Sequence, residues 1–261
     1  MREYFQKIYK TRYFWSHLAM NDLKSRFRRS KLGLLWTVLQ PLLLTMILSV
    51  VFSTVFGQAL GTYATYILSG IVVWDMLQAS VVGGGNALFG SEQYIRQFNH
   101  PITIYTLRYT ILNLATFLME LAALVIWVLF VQPENLILAF FTLPLTLVFY
   151  FPLVWGFVTI AGYSGAKYRD YPQVMLLVMQ MLYYFSPVFL KQEMFIKSEA
   201  LLALFQINPV THILNILRYP FVYMQMPLAA DYLYVLAADL AVVLWAVRVN
   251  RKNEKKVIFY L

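Results

Sequence analysis

Residues 32–56 read LGLLWTVLQPLLLTMILSVVFSTVF and contain no charged side chain. A helix needs about 20 mostly apolar residues to cross the hydrocarbon core of a bilayer, so this stretch is long enough to span a membrane. The composition agrees, because 61% of the 261 residues are hydrophobic and only 13% are charged. Soluble domains carry about 25% charged residues. The sequence therefore excludes an ordinary soluble enzyme and predicts an integral membrane protein.

Six apolar segments follow one another and predict an all-α membrane protein with six transmembrane helices. The predicted spans are residues 32–56, 63–87, 111–131, 136–162, 172–189 and 228–247. We expect one membrane domain at 32–249, preceded by a cytoplasmic amphipathic interface helix at 1–31 and followed by a basic cytoplasmic tail at 250–261.

The positions of Lys and Arg predict which side of the membrane each connection faces, because cytoplasmic loops are enriched in these residues. Of the 21 Lys and Arg residues, 18 precede the first span, follow the last, or lie in the second and fourth connections. Lys191, Lys197 and Arg218 fall on the other side. We therefore expect a multi-pass protein with its N-terminus and C-terminus in the cytoplasm.

The segment before the first span mixes aromatic residues with cations. An apolar helical face carries Trp15, Leu18, Ala19, Leu23 and Phe27. Asp22 and Arg26 are four residues apart and can pair. Such a helix is typical of the inner membrane interface, where it contacts membrane lipid. The cations Arg26, Arg28, Arg29 and Lys31 either anchor the chain or hold a phosphorylated lipid headgroup.

The second connection reads FGSEQYIRQFNHP over residues 89–101. Ser91 is a favourable N-cap, and Pro101 disfavours helical geometry in the residue before it. The pattern predicts a cytosolic helix of about two turns at 91–99. This helix is either a docking surface for another protein or a helix lying at the interface.

The long segment at 190–227 is apolar and is broken by Asn208-Pro209. It predicts two half-length helices that form a re-entrant hairpin on the outer side, with Arg218 reaching water or an anionic partner. Aromatic residues cluster just before it: Tyr183, Tyr184, Phe185 and Phe189. They either mark the headgroup level or line a path for sugar rings.

Asp75, Glu120 and Asp239 lie inside predicted spans, where a charge is costly. They are either a proton relay of an ion-coupled secondary transporter or structural carboxylates bonded to neighbouring helices. The chain has no cysteine, its three histidines show no metal-ligand spacing, and it has no phosphate-binding loop. We therefore predict no catalytic residue, no metal site and no nucleic-acid partner. Energy for uphill transport must come from an ion gradient or a separate ATPase.

Residues 22–41, DLKSRFRRSKLGLLWTVLQP, resemble the start of the first span in polysaccharide-exporting ABC permeases of type 2. The matching positions are Asp22, Lys24, Arg26, Ser30, Leu32, Gly33, Trp36 and Pro41. Residues 94–101 with Leu107, and the segment from Asn208 to Arg218, are similar to two further parts of that family. Asn99 and His100 before the proline depart from its pattern.

The resemblance implies a homodimer with two copies of a separate ABC ATPase, which binds the ATP and Mg, while this chain binds no cofactor. The complex would export undecaprenyl-diphosphate-linked O-antigen polysaccharide across the bacterial inner membrane. Teichoic-acid and capsular polysaccharide exporters are the sibling alternatives.

The resemblance also implies roles for individual residues. The lipid diphosphate would lie at Arg26, Arg28, Arg29, Lys31, Gly33 and Trp36. Coupling to the ATPase would use Glu92, Tyr94, Arg96, Gln97 and Phe98. The sugar path and its gate would use Tyr183, Tyr184, Phe185, Phe189, Pro209 and Arg218.

Overall fold

A computed structural model describes residues 2–27, 31–191 and 199–261, and this part of the chain is helical. Its α-helices are α1 (Arg2–Lys10), α2 (Arg12–Phe27), α3 (Leu35–Phe56), α4 (Leu60–Val81), α5 (Glu92–Gln97), α6 (Thr103–Val131), α7 (Asn135–Lys167), α8 (Tyr171–Tyr184), α9 (Glu199–Ile207), α10 (Pro209–Arg218) and α11 (Ala229–Asn253). Short 3₁₀ turns at Gly83–Asn86 and Phe89–Ser91 connect α4 to α5.

Five of the described helices are long and apolar enough to cross a bilayer. They are α3, α4 with its 3₁₀ continuation to Asn86, α6, α7 and α11. The sequence therefore predicted an all-α multi-pass membrane protein correctly. Three prolines lie inside these helices, Pro41 in α3 and Pro144 and Pro152 in α7. Membrane helices tolerate them because neighbouring groups satisfy the backbone carbonyls that proline leaves unpaired.

The predicted span at 172–189 forms the shorter helix α8, which has 14 residues. At 1.5 Å per residue it is about 21 Å long, against a hydrocarbon core of about 30 Å. The predicted boundary at 189 is therefore wrong. The chain leaves the helix after Tyr184 because Pro187 disfavours helical geometry in the residue before it.

Helix α3 packs through small side chains and exposes large ones. Its buried residues recur every four positions: Thr37, Pro41, Thr45, Ser49 and Ser53. Small residues on one helix face allow the backbones of neighbouring membrane helices to approach closely. The large apolar residues Leu43, Ile47, Val51 and Val55 are about half exposed or more. The outer face of α3 is therefore an apolar surface that fits lipid or another protein chain.

Helix α4 is the centre of the bundle and contacts α3, α6, α7, α8 and α10. Its residues from Tyr63 to Trp74 are all buried. The 3₁₀ turn that continues α4 lies against α7 so closely that a methyl group on Gly165 would clash with the carbonyl of Gly85. Glycine at position 165 therefore sets the distance between these two segments.

Hydrogen bonds define two ends of the bundle. At one end, Tyr4 Oη donates to Glu254 Oε1 at 2.7 Å, and the same carboxylate oxygen accepts from the Ile102 N–H at 3.2 Å. Burial is the main cause that raises the pKa of Tyr4 above 10.0, so this phenol stays protonated. At the other end, Tyr63 Oη donates to the Phe189 carbonyl at 2.7 Å. The first and the last helix segments of the chain therefore meet at the same end.

Helices α9 and α10 meet at Asn208, as the sequence predicted. Asn208 Oδ1 accepts from the Val210 N–H at 2.9 Å, and Pro209 occupies the first turn of α10. Asparagine is a favoured N-cap and proline a favoured first helical residue. The local sequence therefore accounts for this break.

Candidate functional site

Helix α5 presents one packed face and one exposed face. Ile95 is 4% exposed and packs among Leu88, Ile104 and Tyr105. The opposite face exposes Gln93, Arg96, Gln97 and Phe98. The helix begins at Glu92 and ends at Gln97, so the predicted short helix exists with slightly narrower bounds than 91–99. Its exposed face is a surface that another protein can contact.

An aromatic cluster joins α5 to the N-terminal helices. Phe14 of α2 lies with its ring centroid 6.1 Å from Tyr94, 6.0 Å from Phe98 and 5.4 Å from His100. The rings of Phe98 and His100 are stacked at 5.7 Å. Edge-to-face aromatic pairs at such distances add about 1 kcal/mol each beyond the area that they bury. A movement of α5 is therefore transmitted to α2 by direct contact.

Asp22 forms an ion pair with Arg108, and the pairing predicted with Arg26 falls on a side chain outside the described residues. Arg108 at the start of α6 donates through Nε and Nη2 to the two carboxylate oxygens of Asp22, at 2.5 and 2.6 Å. Arg108 Nη1 also donates to Ser91 Oγ at 3.3 Å, and that hydroxyl donates to the Ala87 carbonyl. Ser91 occupies the N-cap position predicted for it but makes no side-chain cap bond, and Asp22 pairs with Arg108. Three segments meet at this one guanidinium.

The predicted diphosphate site falls mostly on the residues between α2 and α3. Arg28 and Arg29 lie outside the described residues, as does the side chain of Arg26. Lys31 is exposed, and Trp36 is 46% exposed. Gly33 has a φ of +53°, a left-handed conformation that glycine adopts without strain. The role of these residues in binding a diphosphate stays a prediction, and Gly33 has a conformational reason to be glycine.

An aromatic groove lies between α3, α4 and α8 and has a volume of ≈ 560 Å³. Tyr183, Tyr184 and Phe189, three of the residues predicted for a sugar path, line it together with Trp74 from α4. The Tyr183 ring lies 5.2 Å from Trp74 and 5.5 Å from Phe189. Polar groups in the wall of the groove come from Asp75, Gln78 and Gln180.

Three predicted members of that path lie elsewhere, among them Arg218, which is described below. Phe185 is 54% exposed and does not line the groove, and Pro209 begins α10. Conversely, sequence reasoning missed Trp74, Phe52 and Gln180, which line the groove from three different helices. Predicting these residues requires the rotation of each helix about its own axis, and no local sequence motif encodes that rotation.

Arg218 is buried against backbone carbonyls, whereas the sequence predicted that it reaches water or an anionic partner. The residue is 2% exposed, and Nη1 donates to the Pro187 carbonyl at 2.7 Å while Nη2 donates to the Val188 carbonyl at 3.0 Å. Its guanidinium carbon lies 3.8 Å from the centre of the Tyr66 ring. The segment after α8 has no helix to satisfy its carbonyls, and Arg218 supplies donors for them. The side chain therefore fixes this segment against α4.

The three carboxylates of the predicted spans do not form one cluster. Asp75 and Glu120 line a cavity of ≈ 360 Å³ between α3, α4 and α6, together with Gln40 and Asn113. Asp239 is buried on α11 and does not line that cavity. The structure therefore brings two of the three groups together and leaves the third apart.

A histidine–carboxylate pair joins α10 to α11 and was missed by the sequence reasoning. His212 Nδ1 lies 2.6 Å from Asp231 Oδ1, and His212 Nε2 lies 3.0 Å from the Gln206 carbonyl. The imidazole ring is stacked on Tyr234 with the centroids 4.0 Å apart. Both ring nitrogens face acceptors, so the pair acts as a brace between the two helices.

Known proteins with related sequences cover most of the chain. The family described as ABC-2 type transporter matches residues 13–222. The chain is 23% identical over 242 residues, 92% of each protein, to the O-antigen export system permease protein RfbA of Myxococcus xanthus. It is 23% identical over 178 residues, 68% of each protein, to a protein of the same name from Klebsiella pneumoniae. A family match over this length, on a bundle of membrane-spanning helices with an exposed α5 face, shows that the chain belongs to the ABC-2 type transporter family.

Proposed function

We propose that this chain is the membrane-spanning subunit of an ATP-driven exporter of O-antigen polysaccharide. The observation that carries the proposal is the likeness to an O-antigen export permease across 92% of both chains. The sequence has no phosphate-binding loop, so a separate ABC ATPase must hydrolyse the ATP. Teichoic-acid and capsular polysaccharide exporters are the sibling alternatives, and they differ in the glycan.

The proposed topology has six crossings in the bacterial inner membrane. Helix α8 provides the sixth crossing together with the segment that follows it, and α9 with α10 forms a re-entrant hairpin in the outer leaflet. Both termini lie in the cytoplasm, in keeping with the distribution of Lys and Arg. The exposed apolar face of α3 supports a homodimer, because a second copy would cover it.

The proposed path for the glycan is the aromatic groove beside Tyr183 and Trp74. Aromatic faces suit the C–H faces of sugar rings, and Asp75, Gln78 and Gln180 supply hydrogen-bonding groups for hydroxyls. The cations from Arg26 to Lys31 would hold the lipid diphosphate at the inner interface. The carrier lipid would stay in the membrane while the glycan passes through the groove.

Complementation tests this function directly. A strain that lacks its own O-antigen export permease should regain surface O antigen when this chain is expressed with its ATPase. Expression with an ATPase whose phosphate-loop lysine is replaced should restore none. Restoration by this chain without any functional ATPase would contradict the proposal.

The exposed face of α5 is the proposed contact with the ATPase. We expect the variant Arg96→Ala, Gln97→Ala, Phe98→Ala to lose more than about 90% of export and to release the ATPase during purification, since side chains at a docking surface contribute about 1–3 kcal/mol each. The melting temperature of the subunit should fall only modestly, because Arg96 and Gln97 are exposed and Phe98, which is 45% exposed, loses only its ring contacts with Phe14 and His100.

A matched control replaces Lys7 and Lys10 by Ala. These residues are exposed on α1 at the same end of the bundle. Equal loss of the ATPase in the control, or normal recovery of the ATPase with the α5 variant, would contradict a docking role for this face.

Ion coupling is the second candidate, favoured by the cavity that Asp75 and Glu120 share. We expect the variant Glu120→Gln, Asp239→Asn to retain more than about half of ATP-driven export in proteoliposomes without an ion gradient. ATP supplies the driving force in the proposed mechanism, and neither side chain lines the aromatic groove. Loss of export with the ATPase still bound would favour ion coupling.

A further inference from the structure

A basic cavity lies at the cytoplasmic end of α7 and α11, and it shares no lining residue with the aromatic groove. Its volume is ≈ 450 Å³. Four cations line it: Lys167, Arg248, Lys252 and Lys256. None of the described residues that line this cavity is acidic, and the nearby Glu254 is engaged by Tyr4 and Ile102. The cavity is therefore an anion-binding environment.

The cations are placed by the geometry of one helix. Arg248 and Lys252 are one turn apart near the end of α11, and Lys256 follows in the next turn of the chain. Residues four apart on a helix lie on the same face. Lys167 approaches from the end of α7, where its Nζ lies 4.9 Å from the centre of the Tyr168 ring. The enrichment of Lys and Arg on the cytoplasmic side explains why cations lie at this end of the bundle. It does not explain why four of them line the same cavity.

The surface above the cavity is apolar and faces outward. Leu240, Leu244 and Trp245 are each more than half exposed, and they lie on α11 one to two turns before Arg248. Trp245 also lines the cavity itself, as does Tyr260. Amphipathic aromatic rings are typical of the headgroup level of a membrane. One continuous strip of α11 therefore offers apolar contact followed by positive charge.

We propose that this cavity, the α7–α11 pocket, binds the headgroup of an anionic phospholipid. Basic pockets between helices at the cytoplasmic surface recognise lipid phosphates in this way. The acyl chains would lie along Leu240 and Leu244, and the phosphate would lie among Arg248, Lys252 and Lys256. The continuity of the apolar strip with the cations favours a lipid over a soluble phosphate. The described residues that line this pocket are different from the cations proposed for the exported diphosphate.

Fluorescence quenching by brominated lipid tests the site. The exporter, with its ATPase, is placed in phosphatidylcholine nanodiscs that contain either brominated phosphatidylglycerol or brominated phosphatidylcholine. The fluorescence of Trp245 is obtained by subtracting the fluorescence of the variant Trp245→Phe from that of the unaltered protein. We expect phosphatidylglycerol to quench Trp245 at a much lower mole fraction than phosphatidylcholine. Equal quenching by the two lipids would overturn the proposal.

Charge variants identify the residues responsible. In the variant Lys252→Gln, Lys256→Gln we expect half-maximal quenching to need about 25-fold more phosphatidylglycerol, since each cation near an anionic headgroup contributes about fivefold. The control Lys10→Gln, Lys255→Gln removes the same charge from exposed positions that do not line the pocket, and it should behave as the unaltered protein. An equal loss in the control would overturn the assignment to this pocket.

A competition experiment separates lipid from soluble phosphate. Millimolar glycerol phosphate should leave the quenching by phosphatidylglycerol unchanged, because it lacks the acyl chains that contact α11. Abolition of selective quenching by glycerol phosphate would show a soluble-phosphate site and overturn the lipid proposal.

Discussion

Replacement of Arg218 by methionine is expected to destabilise the subunit by about 3 kcal/mol, because buried carbonyls that lose a charged donor have no water to replace it. The variant removes the donors to Pro187 and Val188 and the contact with the Tyr66 ring. The melting temperature of the purified subunit in detergent, followed by size-exclusion chromatography, measures the effect.

Two variants serve as comparisons for Arg218→Met. Arg218→Lys should lose part of the stability, since an ammonium group lacks the planar fork that reaches two carbonyls at once. Arg169→Met, at an exposed position, should change the free energy of unfolding by less than about 0.5 kcal/mol. A melting temperature of Arg218→Met equal to that of Arg169→Met would show that the buried guanidinium is not a structural brace.

Replacement of Arg108 by glutamine is expected to lower export about tenfold while leaving the amount of subunit in the membrane within about twofold. A partly buried, charge-assisted pair contributes about 1–3 kcal/mol. Here the pair joins α2 to the start of α6. In the variant, the buried side chains of Ala19 and Leu23 should still anchor α2. Surface O antigen and subunit abundance, measured in the same cells, give the two quantities.

The exchange Asp22→Arg, Arg108→Asp is the matched control for this pair. It keeps both charges and reverses their order, so it should restore part of the export that Arg108→Gln loses. Export by Arg108→Gln at the normal level, or no gain from the exchange, would show that export does not need the connection of α2 to α6 through this pair.

The sequence predicted the spanning helices well because their signal is local. The apolar composition of residues 32–56 can be read without knowing what the segment contacts, and α3 occupies most of this run. The error at α8 came from Pro187, a local breaker inside an apolar run. The pair of Asp22 with Arg108 was missed for another reason. The two residues are 86 positions apart, and a nearest-neighbour rule cannot find such a partner.

The candidate site was predictable only in part. The exposed face of α5 follows from a short helix with polar residues around one apolar anchor, Ile95. Trp74 and Gln180 line the groove because of the rotations of α4 and α8 about their axes. Those rotations depend on the packing of the whole bundle. Arg218 was placed wrongly because an arginine near the outer side is ordinarily solvated. The carbonyls that it binds became available only where α8 ended early.

The bond between Tyr4 and Glu254 also bears on how the chain is made. The two residues are 250 positions apart, so Tyr4 lacks this partner until the helices between them have been synthesised. The contact that joins α1 to the end of α11 therefore forms only after those helices have left the ribosome.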